Sequence, residues 1–321
     1  MESHRAPRRR RARPPRRRPL LWTALASVVL AAGTVGATAY VRAQAHAAAG
    51  AVSSQSSVTP RASASATQEA SVEPAAKPSA DRGALLAKAV KALPVEGTAD
   101  VAVTVLETRS GESAAYGGDT AFETASIVKV DILATLLLQA QDADRRLTGQ
   151  ERTYATAMIE DSDNDSASAL WTAIGQADGL DTANKRFGLT DTAGGDGALW
   201  GLTRTTAADQ LTLLQQVFGG DSKLSAASRT YLQGLMGHIA ADQHWGVSAA
   251  ADGTRWALKN GWLPRSTTGL WIINSIGRVT AGGHDYLVAA LSNGNSTKEK
   301  GISLVEAAAQ AAVSAFADDP A

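Results

Sequence analysis

Hydrophobic and polar positions divide the chain into four stretches: an arginine-rich start, one unbroken apolar run, a segment almost free of large apolar residues, and a long remainder of mixed periodicity. In the remainder, residues 81–92 (DRGALLAKAVKA) read as a helix stopped by Pro94. Residues 100–108 (DVAVTVLET) alternate and are rich in valine, as a half-buried strand requires. A turn at 109–112 then lets 113–117 pair back as a hairpin. From 126 to 140, Val128, Ile132, Leu133, Leu136 and Leu137 fall near helical spacing. Further helices are predicted over 149–160, 165–174, 181–187 and 226–239, and over 206–218, which opens on the capping pattern Thr206-Ala-Ala-Asp209. Strand signals return at 255–258, 270–276 and 286–292, and 302–316 closes the chain as a helix. Strands at both ends with helices between predict an α+β fold: an antiparallel sheet with covering helices plus an all-helical lobe, not a doubly wound sheet.

The start of the chain reads as an address. Nine arginines fall within 5–18, and the uncharged run 20–41 follows at once. Its 22 residues would rise about 33 Å as a helix, enough for a hydrocarbon core of roughly 30 Å. Residues 1–19 are therefore expected to be a basic cytoplasmic tail and 20–41 a transmembrane anchor with the body outside. A cleaved secretory signal is the rival reading, because Ala43-Gln44-Ala45 follows; the length of the run favours the anchor. Arg16-Arg17 is a weak twin-arginine match. Residues 42–80, rich in Ser, Ala, Thr and Pro, bury too little to order themselves and read as a flexible linker. Residues 81–321 are expected to form one exported domain, at the cell membrane or secreted if the run is cleaved.

Composition narrows the chemistry. The chain has 321 residues, 31 basic and 31 acidic, with no cysteine, which excludes disulfides, thiolate metal sites, a catalytic thiol and a lipid-modified cysteine within it. The signs are segregated: residues 1–80 carry 12 Lys/Arg against 3 Asp/Glu, and the rest 19 against 28. An acidic body argues against a nucleic-acid partner. His238 and His244, near Asp242, fit no zinc spacing, and neither a metal nor a cofactor is expected. Five tryptophans between 200 and 271 read as packing, with Trp262 expected to line a cleft.

Three short motifs carry candidate chemistry. Ser126-Ile127-Val128-Lys129 opens an apolar helix, and a spacing of three puts hydroxyl and amine on one face. A lysine whose pKa is lowered by burial can accept the serine proton, and a helix N-terminus favours the resulting negative charge. Ser162-Asp163-Asn164 lies between two helices, where Ser162 and Asn164 can share one side while Asp163 points back. Lys259-Asn260-Gly261 closes an alternating run, offering a cation beside accessible backbone. Each alone has a plainer reading, as a cap or a turn.

Together and in this order the three resemble the penicillin-recognising serine hydrolases, whose pattern is Ser-x-x-Lys, Ser-Asp-Asn and Lys-Thr-Gly, and most closely the class A β-lactamase-like branch. The resemblance covers most of 90–317. It implies a β-lactamase/transpeptidase-like fold, with Ser126 as acylated nucleophile, Lys129 as its base and Ser162 as proton relay. Asn164 would bind a substrate amide, Lys259 would attract a carboxylate, and the amides of Ser126 and Trp262 would form the oxyanion hole. Asn260 and Gly261 complete the implied substrate-binding set. The substrate would be a β-lactam or a peptidoglycan-like amide, and a monomer is expected.

Three departures qualify that implication. Asn260 replaces the family's hydroxyl residue. Ser126 and Ser162 stand only 36 residues apart. No glutamate occurs between Glu160 and Glu299, although class A enzymes use one after the Ser-Asp-Asn motif for deacylation. Residues 189–202 offer only Asp191 and Asp196 in its place. Slow turnover of β-lactams is therefore expected, and a non-hydrolytic penicillin- or cell-wall-binding module or a D-Ala-D-Ala carboxypeptidase are the alternatives.

Overall fold

The computed structural model describes residues 81–317; the predicted tail, apolar run and linker over 1–80 lie outside the described residues. Five antiparallel strands form the main sheet, in the order β2 (Ser113–Tyr116), β1 (Asp100–Glu107), β7 (His284–Asn295), β6 (Trp271–Ala281) and β5 (Trp256–Pro264). Both faces are covered. Alternation sends Leu287, Ala289 and Leu291 of β7 toward the helical lobe, and Val288 and Ala290 toward the opposite core. That opposite core is closed by α1 (Arg82–Lys91) and α8 (Lys298–Ser314), whose Ala308, Ala309 and Ala312 let the helix lie close on the strands.

The lobe is built from α2 (Val128–Asp142), α3 (Gly149–Glu160), α4 (Asn164–Ala173) and α5 (Gln176–Phe187), with α6 (Ala207–Phe218) and α7 (Ala226–Met236) bridging it to the sheet. Helix α2 is buried nearly all round, from Val128 through Leu138. Two ionisable residues in its first turn, Lys129 and Asp131, are buried with it, against the general exclusion of charge from cores. Asn184 Nδ2 of α5 donates to Asp131 Oδ2 at 3.1 Å, and burial pushes that carboxyl up to about 7.

The α+β architecture with a helical lobe is as expected, and so is the Thr206 cap, whose hydroxyl accepts from Asp209 N at 3.1 Å. Several elements differ from expectation: α7 ends at Met236, β6 runs on to Ala281 and α8 starts at Lys298, and four further differences follow. The helix predicted from Ser126 begins with a 3₁₀ turn, Ala125–Ile127, before α2. The strand predicted to end at 258 continues through Lys259-Asn260-Gly261 to Pro264. Helix α5 starts five residues early, at Gln176, because Gly175 (φ 93°) reverses the chain, and Gly179 packs where a Cβ would fall 1.8 Å from the Ile174 carbonyl oxygen. Two short strands, β3 (Ala121–Glu123) and β4 (Arg204–Thr206), pair antiparallel outside the main sheet, where the sequence pattern predicts none.

Candidate active site

The segment leading to Ser126 is fastened from two sides. Strand β3 pairs with β4, and Thr124 N donates to the Thr203 carbonyl at 2.8 Å. From the sheet, the buried Asn274 of β6 donates through Nδ2 to the carbonyls of Glu123 and Thr124, both at 2.9 Å. These clamps hold Ala125 at φ 47°, a left-handed conformation that costs a non-glycine residue about 1–3 kcal/mol. The turn throws Ser126, half-buried, to the wall of a cleft. Strand β5 approaches this turn where it has no side chain: a Cβ on Gly261 would lie 2.8 Å from Ser126 N and from the Thr124 carbonyl oxygen.

Lys129 follows one turn later, on the same side of a helix that winds at three residues per turn through Ser126. Its three hydrogen bonds go to the turn ahead of α4: the Ser162 carbonyl at 2.7 Å, Ser162 Oγ at 3.1 Å and Asn164 Oδ1 at 2.8 Å. Of these acceptors only the Ser162 hydroxyl can also donate, so a neutral amine can keep both N–H bonds and still turn its lone pair to a hydroxyl. Burial lowers the Lys129 pKa from 10.5 to about 7, with the Asp163 carboxylate opposing it. Ser162 adopts φ 57°, while Asp163 turns away to cap α4 by accepting from Ser166 N at 2.7 Å.

Lys259 and Gly261 face the lobe side of β5, and Asn260 and Trp262 the other. Lys259 is fully buried, with Nζ on Gln243 Oε1 at 3.3 Å and the Asn260 carbonyl at 3.1 Å. Both partners are neutral, so burial, joined by the nearby Lys129, holds its pKa well below 10.5. Asn260 Nδ2 donates to the carbonyls of Gln243 and Trp245, at 2.8 and 3.1 Å. Its amide therefore fastens the 241–250 segment to the strand and is turned from the lobe-facing side. The Trp262 ring packs edge-on to Trp245 at 6.0 Å, under Lys298 Nζ at 4.6 Å, while the residue also borders the cleft.

The cleft has a volume of about 400 Å³ and brings together Ser126, Asn164 and Trp262 with the 3₁₀ turn Trp200–Leu202. Trp200 carries no sequence signal for this place. Its ring lies 4.9 Å from Lys129 Nζ, and its Nε1 donates to Ser168 Oγ at 3.1 Å. Asp191 and Asp196 are exposed, and neither lines the cleft. No carboxylate among the described residues does; the one charged lining residue among them is Arg265. Sequence reasoning also missed Gln243, which accepts from Lys259 through Oε1 and from Asn260 through its carbonyl, and Asn274, which holds the Glu123 and Thr124 carbonyls; both act from far along the chain and carry no local signal.

A model of the β-lactamase enzyme family matches residues 150–316 of this chain. Proteins named "Putative lipoprotein LppW" from Mycobacterium tuberculosis and Mycobacterium bovis are 26% identical over 174 residues, which is 51% of this chain and 54% of theirs. The chain thus spans about half the length of the curated relatives it matches. Among solved structures, PBP-A superposes with a TM-score of 0.64 at 20% identity, over 74% of this chain and 97% of that one. A single-substitution mutant of PBP-A, solved as an acyl-enzyme complex with penicillin G, gives 0.65 at 19%, over the same shares. The TLA-3 extended-spectrum β-lactamase gives 0.66 at 14%, over 73% and 99%. At these identities the structural likeness establishes the fold.

Proposed function

The chain belongs to the β-lactamase enzyme family, and on that premise we propose that it is an exported serine hydrolase that takes acyl groups from β-lactams or cell-wall amides and releases them slowly. One observation carries the reading: a buried amine with a pKa near 7, held by Ser162 and Asn164, stands one turn beyond a serine on a cleft wall. A base poised near the working pH is what proton abstraction from a hydroxyl needs.

In this reading neutral Lys129 takes the Ser126 proton as Oγ attacks the carbonyl carbon. The new C–O bond leaves negative charge on the carbonyl oxygen, which the backbone amides of Ser126 and Trp262 receive. The proton then passes from Lys129 through Ser162 to the leaving nitrogen as the C–N bond breaks. Asn164 binds the substrate amide through Nδ2, since Oδ1 faces Lys129. Lys259, fully buried and without a carboxylate partner among the described residues, attracts a substrate carboxylate through its charge rather than from the cleft lining, and that carboxylate would in turn favour its protonated form. Asn260 and Gly261 shape the strand along which the substrate lies.

Slow release follows from the lining of the cleft. Without a carboxylate to activate water, the general-base contribution of about 10²–10⁴ to deacylation is missing. The neighbouring fold solved as an acyl-enzyme with penicillin G supports an intermediate of this kind. We further propose a monomer with domain 81–321 outside the membrane, linker 42–80, and residues 20–41 as the single-pass tether, or a secreted form if that run is cleaved. The LppW relatives bear a lipoprotein name, but these 321 residues contain no cysteine to carry a lipid.

Labelling with a fluorescent penicillin tests the reading. The wild type should become labelled and lose the label slowly, and Ser126→Ala should not label. Rapid loss would indicate an efficient β-lactamase, a label that never leaves would favour the non-hydrolytic binding module, and absence of labelling would refute acyl transfer at Ser126.

A further inference from the structure

Resting on the acyl-transfer reading above, we propose that Arg265 selects substrates whose acyl side chain is apolar and carries a second carboxylate, beyond the one assigned to Lys259. Arg265 is the single charged residue lining the cleft among the described residues, and the wall beside it is apolar: Leu199, 56% exposed, with Trp200, Leu263 and Pro264. Arg265 lies three residues past Trp262, about 10 Å along the chain direction of the strand, and an arginine side chain spans much of that distance. The same cleft holds Asn164, which the reading places against the acyl amide. The cleft thus offers a cation to the acyl side chain.

The guanidinium is only loosely engaged. Its NH2 stands 3.5 Å from Glu123 Oε1, with the arginine side chain 30% and the glutamate 25% exposed. A long, half-solvated pair of this kind holds weakly, and most of the five guanidinium N–H donors stay available for a carboxylate. Glu123 lies in β3, three residues before Ser126, and pairs with Arg204 across the small sheet, so it is fixed beside the cleft. It therefore acts as a built-in competitor: a substrate carboxylate displaces Glu123, and a substrate amine meets a wall whose charge is not available to it.

Three penicillins that differ at one carbon of the side chain provide the test. Benzylpenicillin is unsubstituted there, carbenicillin bears a carboxylate and ampicillin an amine. Second-order acylation rates should rank carbenicillin above benzylpenicillin above ampicillin, with about three- to tenfold between the charged pair. Arg265→Gln should collapse that ratio to within about twofold of unity, and Glu123→Gln should widen it, a movement in the opposite direction that mere destabilisation would not produce. The same ranking should hold for non-covalent binding to Ser126→Ala, read by quenching of Trp200 and Trp262 fluorescence. If no penicillin acylates the wild type, the acyl-transfer reading fails, and the binding ranks still decide the role of Arg265. Equal rates or affinities for all three, or ratios unmoved in both variants, would overturn it.

Discussion

Lys129 Nζ stands 2.8 Å from Asn164 Oδ1 and 2.7 Å from the Ser162 carbonyl, so the turn that opens α4 fixes the amine that lies one helical turn beyond Ser126. Two lobe helices thereby meet at one nitrogen, and in the proposed mechanism its protonation decides whether Ser126 can be activated. With a pKa of about 7, lowered chiefly by burial, the amine is charged and inactive as a base at pH 6 and mostly neutral at pH 8. Acylation by a penicillin should therefore rise about tenfold per pH unit up to pH 7 and level off above it. Lys129→Ala should lose about 10²–10⁴-fold and the pH midpoint together, as stopped-flow or quenched-label rates across pH 5–9 would reveal.

Asn164→Asp replaces a neutral acceptor at 2.8 Å with a carboxylate. A neighbouring negative charge favours the ammonium, so the midpoint of that profile should move to higher pH by about one to three units. At pH 7 the variant should acylate more slowly, and at pH 9 it should recover much of the difference. An unshifted midpoint would mean that the titration belongs to another group.

Gly261→Ala should damage the site more than the fold. The new methyl would stand 2.8 Å from both Ser126 N and the Thr124 carbonyl oxygen, backbone atoms clamped by Asn274 and the β3–β4 pair. Strand and serine turn must then separate, and a displacement near 1 Å at a reacting centre costs about 10²-fold. Acylation is expected to fall by that order, with a melting point within a few degrees of wild type. Near-normal acylation would show that the strand does not set the position of the serine amide.

Asp131 makes stability depend on pH. Its folded pKa is raised from 3.8 to about 7, by burial first and by Asp181 and Asp209 in addition. Below pH 4 both folded and unfolded chains hold the proton. Between about 4 and 7 only the folded chain does, so stability falls as pH rises through that window and stays low above it. Asp131→Asn should flatten this slope and stabilise the domain at pH 8 by a few kcal/mol, of the order that a shift of about three units implies. Urea unfolding at pH 4, 6 and 8 measures both effects.

Much of this arrangement was legible in the sequence because its signals are local. The Thr206–Asp209 cap, the hairpin over 100–117 and the helical spacing after Ser126 rest on contacts within a few residues, and the structure contains all three. Residues 259–261 read as the end of a strand because asparagine followed by glycine favours a turn. They continue β5 because each is buried by a distant partner: Gln243 for Lys259, the Gln243 and Trp245 carbonyls for Asn260, and the serine turn for Gly261. The three-residue strands β3 and β4 are too short to show a period, and their pairing spans more than eighty positions. Asn274 and Gln243 escaped notice, and Trp200 read only as packing, for the same reason: each bears on the site from far along the chain.

The most direct test is intact-protein mass spectrometry of the 81–321 domain against time after mixing with benzylpenicillin, followed by peptide mapping. One penicillin mass per chain should appear, on the peptide that contains Ser126, and should persist long after free drug is removed. An adduct on another residue, or a wild-type protein that consumes penicillin with no adduct at any time point, would contradict the account.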